Sequence, residues 1–179
     1  DDLHLAEAFS IPVTALILLL LFGSVPAMAV PLLFALGTIS VAMGLVWIEA
    51  GLVEVPIYAT SVVTLVGIAL AVDYSMLYVS RYREETREAA DGATALAVTV
   101  RTAGRALTIS GLVVAAGLFP LVFIPIPFFS GLGLAAAGIP LVSLIAAATL
   151  MPAILELLGP NLDRLSVNLP QRLRPATGE

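Results

Sequence analysis

Residues 106–155 read ALTISGLVVAAGLFPLVFIPIPFFSGLGLAAAGIPLVSLIAAATLMPAIL, a stretch of 50 residues between Arg105 and Glu156 without a charged side chain. A membrane-crossing helix needs about 20 apolar residues, so this run holds two. The tripeptide Pro125-Ile126-Pro127 divides it into helices expected near 105–124 and 129–157, and Pro140 is expected to kink the second. Working outward, a second charge-free run of 41 residues lies between Glu7 and Glu49. Gly23-Ser24-Val25-Pro26 splits it into helices near 5–23 and 27–48. Between the two runs a helix near 56–80 opens at Pro56, whose missing N–H is harmless in a first turn. Only helices or closed barrels satisfy their backbone in lipid, and these runs lack the alternation of barrel strands. The fold class is therefore all-α, a polytopic bundle of five transmembrane helices over 1–158, with a fraying cytoplasmic tail at 159–179.

Composition agrees. With 60% hydrophobic and 12% charged residues and a mean hydropathy of +1.07, the chain has too little polar material for the surface of a soluble domain. It has no cysteine and a single histidine, His4, which excludes disulfides, thiol chemistry and a cysteine or histidine metal cluster. A net charge of −5 argues against a nucleic-acid partner, which requires a basic face. No nucleophile–base pair or phosphate loop points to an enzyme, and no cofactor is expected. The chain opens Asp1-Asp2 with no methionine or basic segment, so the first apolar run does not read as a signal peptide, and a segment of a longer chain is expected.

Orientation follows from the basic residues, all of them arginines. Arg81, Arg83, Arg87, Arg101 and Arg105 lie between the third and fourth helices, and Arg164, Arg172 and Arg174 follow the fifth. Five spans put both groups on one side, leaving only acids, Glu49 and Glu54 among them, on the other. The positive-inside rule then predicts a multi-pass protein of the cell membrane with its N-terminus outside and the 81–104 connection and C-terminus in the cytoplasm. In that connection Arg81 with Glu85 and Glu84 with Arg87 have helical pair spacing. Ala93, Leu96, Ala97 and Val100 would form the apolar stripe of an amphipathic interfacial helix, with a solvated connector as the alternative. Small residues at Gly37, Ser40 and Gly44, at Gly104, Thr108, Gly111 and Ala115, and at Gly131, Ala135 and Gly138 are expected to mark helix contacts. Trp47 and Tyr58 outside, and Tyr78 and Tyr82 inside, are expected in the aromatic belts. Glu49 and Glu54 are expected to mark the loop between the second and third helices, with a substrate-gate role as the alternative.

Asp73 is the expensive residue. An aspartate near the centre of the membrane costs roughly 2.5–3.5 kcal/mol, against roughly 3–6 kcal/mol returned by the ten Leu, Ile and Val residues of its helix. Insertion remains favourable, but the carboxyl group is expected to face the bundle or a water-filled path rather than lipid. There it would hold or release a proton inside the membrane, which is what a proton-driven transporter requires; a polar anchor to another helix is the alternative. Tyr74 places a hydroxyl beside it that is able to donate to a carboxylate or steer a water.

The stretch Gly67-Ile68-Ala69-Leu70-Ala71-Val72-Asp73-Tyr74, followed by Ser80-Arg81-Tyr82-Arg83-Glu84-Glu85, resembles the signature of the MMPL family of the RND transporter superfamily. Thr102-Ala103-Gly104-Arg105-Ala106-Leu107 with Ser110-Gly111-Leu112, and Leu150-Met151-Pro152-Ala153, resemble the family's next two helices. The resemblance covers nearly the whole chain and implies helices two to six of one half of a twelve-helix transporter. By resemblance, Asp73 and Tyr74 form half of a proton relay that an equivalent pair in the other half completes, and Arg81 and Arg83 are candidates for its cytoplasmic mouth. The implied function is proton-driven export of lipids or other hydrophobic molecules. The implied partners are the bilayer, a lipid substrate, an extracytoplasmic porter domain and a second transmembrane half, none of the protein parts lying in this chain. The bundle also resembles sterol-sensing domains, whose role is sensing or scaffolding, and the SecD and SecF components of protein translocation; the residues after Asp73 match MMPL better.

Overall fold

The computed structural model describes residues 16–88 and 91–163. Of the helix expected near 5–23, residues 16–22 are described and are helical; its remainder lies outside the described residues, as do Arg164, Arg172, Arg174 and most of the expected tail. The helices that follow are α1 (Val25–Glu49), α2 (Ala59–Glu88), α3 (Gly92–Leu118) and α4 (Pro127–Leu158), with short 3-10 turns at Phe119–Phe123 and Gly159–Asn161. All four are long and apolar enough to cross a membrane, α3 together with its 3-10 extension. The shortest, α1 with 25 residues, is about 37 Å long against a hydrocarbon core of about 30 Å. Leu36, Leu65, Val113, Ile145 and Leu157 point outward at 65–78% exposure. That surface is unsuited to water and matched to lipid.

Successive helices run antiparallel. At one end Ser24 Oγ donates to the Leu162 carbonyl (2.5 Å), and the Arg83 guanidinium pairs with Asp163 (2.7 Å). At the other end the Glu54 carbonyl and Pro56 lie against Gly131 at the start of α4. The turn into α1 needs Gly23, which has a φ of 71°, followed by Ser24 as N-cap accepting from the Ala27 N–H. The core has an inner part around Phe22, Phe34, Tyr74, Tyr78, Met151 and Leu155, and an outer part around Val46, Val63, Ile139 and Val142.

The expected seams are only partly the real ones. On α3 the buried residues are Ala95, Thr99, Ala103, Leu107, Gly111 and Ala115, a strict every-fourth ridge, while Thr108 is exposed. On α1 Ser40 and Gly44 are exposed and Gly37 only half-buried; the helix instead buries Val30, Phe34, Thr38, Ala42 and Val46. On α4 Gly131 and Ala135 are buried, but Gly138 has open space where a side chain would sit.

The 81–104 connection also differs from expectation. No breaker lies between Ser80 and Glu88, and Arg81 pairs with both Glu84 (2.9 Å) and Glu85 (2.7 Å), so α2 simply continues through the arginine-bearing segment. Asp91 then caps α3, which runs on from Gly92 through residues expected to form a separate interfacial helix. Ala93 and Ala97 of the expected stripe are exposed, and Ala95 and Thr99 take the buried positions.

The Asp91 carboxylate accepts from the Thr94 N–H at 2.7 Å. Hydrogen bonds from the Thr94 backbone and then its side chain hold this acid below its ordinary value of 3.8. A folded-state value below the unfolded one means the cap contributes fully above the unfolded value and is lost as pH falls through the lower folded value. Asp91→Asn is expected to keep the cap while removing this acid sensitivity, and Asp91→Ala to fray the first turn of α3 at neutral pH. Hydrogen exchange at the Thr94 amide reads both.

Candidate functional site

Asp73 sits midway along α2, eight positions, about 12 Å of helix, before Arg81. Its neighbours at helical spacing on the outward face are Ala69, Met76 and Leu77, all exposed, and Asp73 is itself exposed. Of the two surroundings expected for it, the bundle or a water-filled path, the interior of this bundle is not the one it takes among the described residues. The reason is angular: successive helix positions differ by about 100°, and Tyr74 takes the inward direction. Ser75 and Tyr78 are buried with it, so the inward face of α2 is filled by apolar and hydroxyl side chains rather than by the acid.

Tyr74 is 2% exposed, with its ring 6.4 Å from that of Phe34 on α1 and tilted by 49°. Its hydroxyl reaches into the α2–α3 seam beside Gly111, where an added Cβ would stand 2.8 Å from it. That oxygen is enclosed and has no hydrogen-bond partner among the described residues. Thr38, Ser75 and Ser143, from α1, α2 and α4, also carry enclosed hydroxyls without partners. Enclosed polar atoms are normally paired, so the inward faces of these three helices hold unused hydrogen-bonding capacity that composition alone did not reveal.

Tyr78 and Tyr82 are not belt residues. They are 0% and 7% exposed and continue the Tyr74 face at four-residue spacing. The Tyr78 hydroxyl lies by Gly104, and that of Tyr82 lies between Gly92 and Gly159. The missing side chains of glycines on α3 and at the end of α4 make room for three phenols in a row. The spacing of the tyrosines was visible in the sequence; their glycine partners, 20 or more residues away in most cases, were not. Trp47 and Tyr58, by contrast, are 80% and 64% exposed near the other end.

Arg81 and Arg83, in the last turns of α2, reach the ends of neighbouring helices. Arg81 Nε donates to Thr102 Oγ1 (3.3 Å) in addition to its two glutamates. Arg83 spans from Asp163 to Ser24 Oγ (3.5 Å), linking α2 to both the turn before α1 and the end of α4. The acids at the opposite end divide: Glu54 is exposed in the loop, whereas Glu49 is the last residue of α1 and is only 8% exposed, which corrects its reading as a loop marker.

The MMPL family model matches residues 1–174. Similar proteins include a membrane protein of Streptomyces coelicolor, 39% identical over 89% of this chain and 23% of its own length. The trehalose monomycolate exporter MmpL3 of Mycolicibacterium smegmatis is 35% identical over 93% of this chain and 16% of its own. The mycolic acid-containing lipids exporter MmpL11 of the same organism is 34% identical over 88% of this chain and 17% of its own. The chain thus spans between 16% and 23% of the length of these relatives.

Proposed function

The chain belongs to the MMPL family of membrane transporters, and on that footing we propose that it forms part of the transmembrane region of a proton-driven lipid exporter, with Asp73 as the proton-carrying acid. The observation that carries this reading is the outward placement of Asp73. An acid midway along a membrane helix, flanked by Met76 and Leu77 on the same exposed face, is strongly disfavoured against lipid. A second helical layer or a water-filled path must cover it, and a carboxyl group at such a junction is placed to take up a proton from one side and release it to the other. Tyr74, one residue on and unpartnered at its hydroxyl, supplies a donor that a modest rotation of α2 would redirect. The other layer is a second transmembrane half carrying its own acid, and an extracytoplasmic domain receives the exported lipid.

The arginine-bearing end, with Arg81, Arg83 and the Ser24–Leu162 clasp, is the cytoplasmic end in this reading, and Arg81 and Arg83 flank the exit of the proton path there. The test is energetic. Lipid export by cells carrying the full-length protein is expected to stop within minutes of adding a protonophore while cellular ATP is held constant; export that follows ATP instead removes proton coupling from the reading.

A further inference from the structure

About 12 Å of α2 separates Asp73 from Arg81, and a proton that enters or leaves by the arginine-bearing end has to cross that distance. The helix backbone offers no route, since its N–H and C=O groups are already paired with each other. Tyr78 stands in the gap, five positions after Asp73 and three before Arg81. Beside it α3 and α4 leave a cavity of about 220 Å³, lined by Tyr78, Gly104, Leu107, Thr108, Leu144 and Ala147 among others. At about 30 Å³ of liquid per molecule, it has room for several waters.

Two hydroxyls give this cavity a polar side. That of Tyr78 lies by Gly104, where an added Cβ would stand 3.3 Å from it. Thr108 Oγ1 donates to the Gly104 carbonyl (2.8 Å), so its lone pairs remain free to accept. A wholly apolar cavity stays dry, whereas a roomy one with polar partners holds ordered water. The cavity also adjoins the relay. Its wall residue Leu144 meets the Tyr74 hydroxyl at Gly111, where both would come within 2.8 Å of an added Cβ.

Resting on the proton-driven reading of Asp73, we infer that this cavity is a water-filled segment of the proton path and that Tyr78 conducts protons within it. The phenol oxygen takes a proton from water on one side and passes its own to water on the other, so the residue ends neutral and unchanged. Leu144 is the side chain that has to turn for this water to reach Tyr74.

Proton uptake by vesicles of native membrane lipid carrying the full-length protein tests it, read with an enclosed pH dye under an imposed pH gradient. Tyr78→Phe keeps the buried ring and deletes only the hydroxyl. It is expected to slow uptake by about tenfold, the factor of one hydrogen bond lost from the chain, at unchanged thermal stability. Thr108→Val, at an exposed position, is expected to give a smaller loss. Uptake that is normal in Tyr78→Phe but abolished in Asp73→Asn overturns the proposal and leaves the relay standing; uptake normal in both overturns the two together. Hydroxyl-radical labelling reads the water without any transport, because the radicals form from water itself. Tyr78 and Phe34 are both 0% exposed, yet Tyr78 is expected to be oxidised several times faster. Equal labelling of the two shows a cavity that is dry or filled by a lipid chain, and likewise overturns the proposal.

Discussion

Asp73→Asn in the full-length protein is expected to bring lipid export down to the level of cells lacking the protein, while its abundance in the membrane stays unchanged. Asparagine matches aspartate in shape and still forms hydrogen bonds, but it carries no exchangeable carboxyl proton. Because Asp73 is exposed in this bundle, the substitution removes no packing inside it, and insertion becomes easier as a costly charge is lost. Export and abundance should therefore separate. If export persists at normal abundance, the acid is a structural anchor and the sensing or scaffolding alternative gains. Tyr74→Phe sharpens the contrast, since it deletes an enclosed hydroxyl with no partner among the described residues and should leave folding unharmed. A fall in export at constant abundance then assigns the hydroxyl to proton transfer.

Gly133→Ala is expected to destabilise the fold more than the corresponding change at most other glycines. The added Cβ would stand 2.6 Å from Leu121 Cβ and 2.8 Å from the Val122 nitrogen. These atoms belong to the 3-10 turn that folds back onto the start of α4, and neither backbone nor Cβ is able to rotate aside. Overpacking of this kind costs about 1–3 kcal/mol, a large share of the roughly 5–15 kcal/mol that typically holds a domain together. Gly37→Ala meets only the far end of Leu150, at 2.8 Å, and should be milder. Gly138→Ala meets nothing within 4 Å and serves as the neutral control. Thermal unfolding in detergent ranks them, and a Gly133→Ala protein as stable as Gly138→Ala would refute the close approach of the 3-10 turn.

The spans, their ends and their antiparallel order could be read from residues 16–163 as a string, because a helix in lipid satisfies its own backbone hydrogen bonds. Its free energy of insertion is close to a sum over its own side chains. Charge-free runs, Gly23, Pro56 and Pro125-Ile126-Pro127 are local signals, and they placed the described turns to within a few residues except in the 81–104 connection, where α2 continued past Ser80 to Glu88 and α3 began at Gly92. That miss is instructive, because Arg81 to Glu88 are polar but good helix formers, and polarity ends a membrane span without ending a helix.

Which way each helix turns is a different kind of fact. Asp73 outward, Tyr78 and Tyr82 inward and Glu49 enclosed against α4 all run against expectations drawn from polarity. Each depends on contacts between residues far apart in the chain. Tyr78 is buried because Gly104 leaves room for its hydroxyl, and Tyr82 because Gly92 and Gly159 do. Asp73 faces away because the inward arc of α2 is already taken by Tyr74, Ser75 and Tyr78. Hydropathy along one segment is thus enough to insert it and to recognise an acid that lipid will not tolerate. The direction in which that acid points is decided by steric fit between helices, and only the packed bundle contains that information.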